Sequence, residues 1–173
     1  MGGVRRMYLE KAKLEEFEIY YQMKCEKYIA YWSQGNYEIP PRENLYRFYT
    51  GCLQSAEGEQ CKEIYLIKTD EGETAGYLYM DYLENSVDIP IALCERFTKK
   101  GLAKQAISEG LRMAREKGYR QSEVEIRADN AASIRLYTSC GYHRGKKTRE
   151  IYSSALKQSV AMYAYQKKIE DAG

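Results

Sequence analysis

Residues 94–104 (CERFTKKGLAK) carry the pattern best suited to chemistry. An apolar, strand-like run ends there, a polar loop follows, and a helix-forming stretch opens at Gly101, Leu102 and Ala103. The first N–H groups of a helix lack intrahelical acceptors, and the helix dipole adds partial positive charge, so such a terminus favours an anion. Small residues at Gly101 and Ala103 let the backbone approach a ligand closely, and Arg96, Lys99, Lys100 and Lys104 add charge. A pyrophosphate suits that combination; a solvated basic loop opening a surface helix accounts for the same residues. A Walker loop is excluded because no Gly-Lys-Ser/Thr occurs, and the Gly-x-Gly-x-x-Gly spacing is absent. The chain has 1 His, His143, too few for a His-based zinc site, and no metal is expected. Its 5 Cys (Cys25, Cys52, Cys61, Cys94, Cys140) are scattered and odd in number, which favours reduced thiols in a cytoplasmic protein over a disulfide frame.

The elements that must position this junction follow from patterning. The 173 residues are 44% hydrophobic and 30% charged, which suits one domain with its own core. No apolar run approaches a membrane span, and residues 1–10 lack the apolar region of a secretory signal. A net charge of +2 argues against a dedicated nucleic-acid binder, despite the basic stretch 143–149 (HRGKKTR). Residues 5–11 read as a first strand. Residues 14–32 read as a helix, with Leu14, Phe17, Tyr21, Cys25, Tyr28 and Trp32 on one stripe, ended by Gly35 and Asn36. Residues 43–53 read as a second helix and 56–60 as a loop. The period then changes to strand alternation over 62–69, 74–83 and 86–94, with Pro90 marking a bulge or an edge in the third. A helix over 101–117 is stopped by Gly118, a strand covers 123–127, and a short helix over 131–140 is stopped by Gly141. Strands near 142–152 and 159–169 close the chain. This order predicts a mixed sheet with helices on both faces. Most of the 18 Tyr must be packing or surface residues.

The stretch 125–142 (EIRADNAASIRLYTSCGY) resembles acetyl-CoA-binding motif B of the GNAT superfamily of N-acetyltransferases, through Asn130, Ser133, Leu136, Tyr137 and Gly141 followed by an aromatic. Gly101-x-Ala103 resembles the close of that superfamily's motif A, whose usual leading Arg or Gln is here Thr98. The resemblance spans roughly residues 64–169. It implies an α/β fold with a central mixed, mostly antiparallel sheet of about six to seven strands. It implies acetyl-CoA as co-substrate, held by Leu93, Cys94, Thr98, Lys99, Lys100, Gly101, Leu102, Ala103, Lys104, Asn130, Ser133 and Tyr137. Residues 124–137 are locally similar to the bacterial ribosomal-protein N-terminal alanine acetyltransferases. That likeness implies Glu125 as general base and Tyr137 as general acid, and it sets Tyr152 near an aromatic position.

The implied reaction is direct acetyl transfer to an amine in a ternary complex. Asp81, Glu84 and Asp88 are reserve bases from the strand meander, and a backbone N–H near Leu93 or Cys94 is the expected oxyanion donor. Asn130 caps the short helix, holds the pantetheine arm, or does both. The acceptor stays open between a peptide N-terminus and a small amine such as a polyamine, for which Glu15, Glu16, Glu18 and Glu26 are candidate contacts. A non-catalytic acyl-CoA sensor is the alternative; retention of both Glu125 and Tyr137 weighs against it. Monomer and homodimer both remain open.

Overall fold

The computed structural model describes residues 6–32, 39–55, 61–154 and 156–170. Arg5, the turn at Gly35 and Asn36, and the loop 56–60 therefore lie outside the described residues. The elements are β1 (Met7–Lys11), α1 (Phe17–Cys25), α2 (Lys27–Trp32), α3 (Arg42–Gln54), β2 (Lys62–Thr69), β3 (Thr74–Tyr82), β4 (Val87–Asp88), β5 (Ile91–Leu93), α4 (Leu102–Glu116), β6 (Gln121–Arg127), α5 (Ala131–Ser139), β7 (His143–Ser153) and β8 (Gln158–Lys168). Single 3-10 turns precede α1 (Leu14–Glu16) and follow β5 (Glu95–Phe97).

The described strands form one 8-stranded sheet in the order β1-β2-β3-β4-β6-β8-β7, with β5 beside β3. Every pairing is antiparallel except β4 with β6, which run parallel at Val87 and Ser122. The α/β fold class and the mixed, mostly antiparallel sheet are as expected. The strand expected over 86–94 is two short strands, because the ladder breaks at Ile89 and Pro90, where proline has no N–H to give.

The long first helix is also divided. Glu26 is extended (φ −66°, ψ 128°) between α1 and α2, and its Oε1 accepts the Glu95 backbone N–H at 2.8 Å. The break shifts the buried stripe: Phe17, Tyr20 and Met23 face the sheet in α1, whereas Leu14 is exposed and Tyr21 and Cys25 are only half-buried. In α3, Leu45, Tyr49 and Cys52 are buried and Phe48 is exposed.

Two cores sandwich the sheet. On one face, α1 and α3 pack Phe17, Tyr20, Leu45 and Tyr49 against Ile64, Leu66 and Tyr77. On the other, α4 and α5 pack Leu102, Ala106, Ile107 and Tyr137 against Leu78, Met80, Val124 and Ile126. Tyr20, Tyr49, Tyr82 and Tyr142 are among the largest fully buried side chains, so much of the tyrosine content is packing. Gly76 brings β5 close to β3: a Cβ there would lie 2.1 Å from the Ala92 carbonyl oxygen.

One topological detail makes the site. β6 is joined to β4 at a single register pair, while β5 turns away and pairs only with β3. The sheet therefore opens between β5 and β6, like a V closed at Val87 and Ser122.

Candidate active site

The opening between β5 and β6 is a cavity of about 1080 Å³ that runs from the N-terminus of α4, past α5, to α1 and α2. At the first end, Lys99 (φ 62°) and Gly101 (φ 80°) both adopt left-handed conformations, which curls the loop around its N–H groups as an anion-binding nest. Gln105 is the first residue of α4 to bond back, to the Gly101 carbonyl at 3.3 Å, which leaves the N–H groups of Leu102, Ala103 and Lys104 without intrahelical acceptors. No acidic residue stands in the first turn. Thr98, Lys99, Gly101, Leu102, Ala103 and Lys104 line the cavity, whereas Lys100 does not. The Thr98 hydroxyl donates to the Glu95 carbonyl at 2.6 Å, so it closes the turn instead of reaching outward. This end fits a pyrophosphate through backbone amides and lysine charge.

α5 forms the adjoining wall. Asn130 caps it, its Oδ1 accepting the Ser133 N–H at 3.1 Å, and both residues line the cavity. The Tyr137 hydroxyl donates to the Ile89 carbonyl at 2.7 Å, across the ladder break between β4 and β5. Burial, followed by the nearby Tyr142 and Asp88, pushes its pKa well above the ordinary phenol value, so it is protonated at any working pH.

On β5 the register separates the two expected oxyanion donors. Cys94 donates its N–H to the Ala75 carbonyl at 2.9 Å, and Tyr79 donates to the Pro90 carbonyl at 3.0 Å. Strand alternation then turns the Leu93 N–H away from β3 and toward the opening. Leu93 lines the cavity and Cys94 does not. The Cys94 thiol is pushed up to about 12 by burial and by Glu26, unsuited to an acyl-carrying nucleophile.

The far end holds carboxylates. Glu125 alternates outward from Val124 and Ile126, lines the cavity, and accepts from the Arg149 Nε at 2.6 Å. Of the three reserve acids, Asp88 alone lines the cavity. Glu84 is exposed beyond β3, and Asp81 is held by Lys62 at 3.4 Å. Asp88 is half-buried, and its buried Oδ1 has no hydrogen-bond partner among the described residues. Desolvation, then the charges of Asp81, Glu125 and Glu123, opposed by Lys62, raise its pKa to about 7.

Sequence reasoning missed much of the acceptor wall. Lys24, Tyr28, Trp32, Tyr77, Tyr79 and Arg149 line the cavity there, and Arg135 lines it from α5 nearer the α4 end, yet each is an ordinary helix or strand residue by its spacing. Arg127 is buried, paired with Asp129 at 2.8 Å, donating to the Tyr31 carbonyl at 3.1 Å and stacked on Trp32. It fastens the end of α2 to β6. Among the described residues no group of three or more His, Cys, Asp or Glu is placed to hold a metal, and no helix is long and apolar enough to cross a membrane.

A splayed sheet with an amide-rich helix terminus at one end and carboxylates at the other suits transfer of a group from an anionic donor to an acceptor. Residues 6–143 match the acetyltransferase (GNAT) domain model, and the chain belongs to that family: it is a GNAT N-acetyltransferase. No curated protein sequence matches it. Solved structures share the fold at low identity. A spermidine N-acetyltransferase from Vibrio cholerae, in complex with CoA and spermine, is 11% identical with a TM-score of 0.80, over 94% of this chain and 95% of that one. The microcin C7 self-immunity acetyltransferase, in complex with acetyl-CoA and AMP, is 17% identical with a TM-score of 0.76, over 94% and 92%. An N-acetyltransferase from Staphylococcus aureus Mu50 is 16% identical with a TM-score of 0.77, over 95% and 99%.

Proposed function

We propose that the protein acetylates a primary amine by direct transfer from acetyl-CoA in a ternary complex, with Asp88 as proton acceptor and Tyr137 as proton donor. The observation that carries this reading is one continuous cavity that joins the α4 terminus to Tyr137, Asp88 and Glu125. The amine must be neutral to attack. Near pH 7 that costs about 1 kcal/mol for an α-amine and ~4–5 kcal/mol for a lysine-like amine. Asp88, with its pKa near 7 and a free oxygen, takes the ammonium proton directly or through a water. The nitrogen attacks the thioester carbonyl carbon, the C–N bond forms, the nitrogen gives up its second proton to water, and the C–S bond breaks. The Leu93 N–H faces the developing oxyanion. Tyr137 returns a proton to the leaving thiolate, and solvent restores both side chains.

Glu125 was the base implied by the local resemblance. Its pairing with Arg149 and its partial exposure make it the weaker acceptor of a proton, and its charge contributes to raising Asp88. The likeness to ribosomal-protein N-terminal alanine acetyltransferases keeps a peptide N-terminus within the acceptor class. A polyamine, the ligand of the Vibrio structure, has little to bind here. Glu15, Glu16, Glu18 and Glu26 do not line the cavity; Glu16 pairs with Lys68, Glu18 with Arg42, and Glu26 holds the Glu95 N–H.

The test is release of free CoA thiol from acetyl-CoA across a panel of amines, amino acids and short peptides. Amine-dependent release is expected. Saturable acetyl-CoA binding with no release from any acceptor would leave the acyl-CoA sensor reading in its place.

A further inference from the structure

We propose that Lys24 forms an anion subsite in the acceptor half of the cavity, so that the acceptor is a small amino acid: an amine with a carboxylate a few bonds from its nitrogen. This rests on the acetyltransferase reading above and names its substrate class.

Four cationic side chains line the acceptor half, and three are already matched. Lys62 is held by Asp81 at 3.4 Å, Arg149 by Glu125 at 2.6 Å, and Arg127 by Asp129 at 2.8 Å. Lys24 has no carboxylate partner among the described residues; its ammonium lies over the Tyr77 ring, 5.7 Å from the centroid. It is half-buried, and desolvation alone lowers its pKa. An ammonium taken out of water without a counter-ion is costly, and a ring face offsets only part of that cost. A ligand carboxylate would supply the missing partner. An additional ligand cation would meet repulsion.

The location sets how close that carboxylate must be to the amine. Tyr77 is paired with Ala92, the neighbour of Leu93, and paired residues share a face of the sheet. Lys24 therefore stands over the strand position beside the oxyanion donor, where the amine must attack. Asp88 lies on the same face, through its pairing with Asp81 two residues beyond Tyr79. A carboxylate on Lys24 and an amine at the thioester are thus a short span apart.

Matched acceptors decide it. L-phenylalanine is compared with phenethylamine, and L-leucine with isopentylamine, each corrected to its neutral-amine concentration, alongside spermidine. Thiol release is followed for wild type, Lys24→Met, Lys24→Arg and Lys24→Glu. The wild type should prefer the carboxylate-bearing member of each pair. Lys24→Met should cut that preference by roughly tenfold or more, mainly through KM, as expected for loss of a charge-assisted contact. Lys24→Arg should restore part of it, and Lys24→Glu should move preference toward diamines. Turnover with an unchanged preference ratio in all variants, or a wild-type preference for spermidine, would overturn the subsite and leave the acetyltransferase reading standing. Absence of thiol release from every amine would instead remove that reading. Calorimetric binding of the amino acids to wild type and Lys24→Met would then still decide the subsite, since equal binding to both excludes it.

Discussion

Asp88→Asn should have opposite effects on stability and catalysis, and both follow from one half-buried carboxylate with a buried oxygen. Folding raises the Asp88 pKa from 3.8 to about 7. At roughly 1.36 kcal/mol per unit, keeping this group charged in the folded chain costs about 4 kcal/mol once both states are ionised. The sign is that of a group whose folded pKa is raised. Below pH 3.8 the carboxyl is protonated in folded and unfolded chains alike, and no cost arises. As pH climbs toward 7 the unfolded chain ionises first, stability is lost, and the loss levels off above that point. Asparagine removes the charge and keeps the shape. Asp88→Asn should therefore melt higher than wild type at pH 8, by up to that amount, with little difference near pH 4. The gain is an upper bound because an amide still leaves a buried polar atom to satisfy at the unpartnered oxygen's position. Catalysis should move the other way. Loss of a positioned general base costs about 10²–10⁴ in rate, and kcat/KM should lose its inflection near pH 7. Thiol release from pH 5 to 9, with thermal melts at pH 4 and 8, measures both. A variant that keeps wild-type kcat/KM and the same inflection would refute Asp88 as base. Glu125→Gln would then be the substitution that abolishes turnover.

Other substitutions probe the remaining parts. Tyr137→Phe should lower turnover, spare acetyl-CoA affinity by calorimetry, and destabilise by about 1–3 kcal/mol in denaturant melts, because the Ile89 carbonyl loses its donor at the ladder break. Gly76→Ala should unfold the chain or cut its melting temperature sharply, since the new Cβ meets the Ala92 carbonyl oxygen and separates β5 from β3. Arg127→Lys loses the paired contact to Asp129 and the stacking on Trp32, so it should raise the acceptor KM more than it weakens acetyl-CoA binding in steady-state and calorimetric measurements.

The sequence by itself determined the element order and the cofactor end of the site. β2 covers 62–69 as its alternation predicts, α4 begins just after Gly101 because the left-handed residue that precedes it suits glycine, and Asn130 caps α5 as its spacing implies. These are local preferences, set by φ, hydrogen-bond supply and periodicity within a few residues. The same local reading misjudged residues 14–32, because the break at Glu26 is held by Glu95, 69 positions away. It ranked Glu125 and Asp88 without the facts that separate them: the Arg149 partner on another strand, and the burial that raises one carboxylate to about 7. Lys24 looked like any helix lysine. Only the tertiary structure decided these points. Desolvation and charge pairing depend on which surfaces the sheet brings together, and the opening lies where β5 pairs with β3 and not with β6, past the ladder break at Pro90.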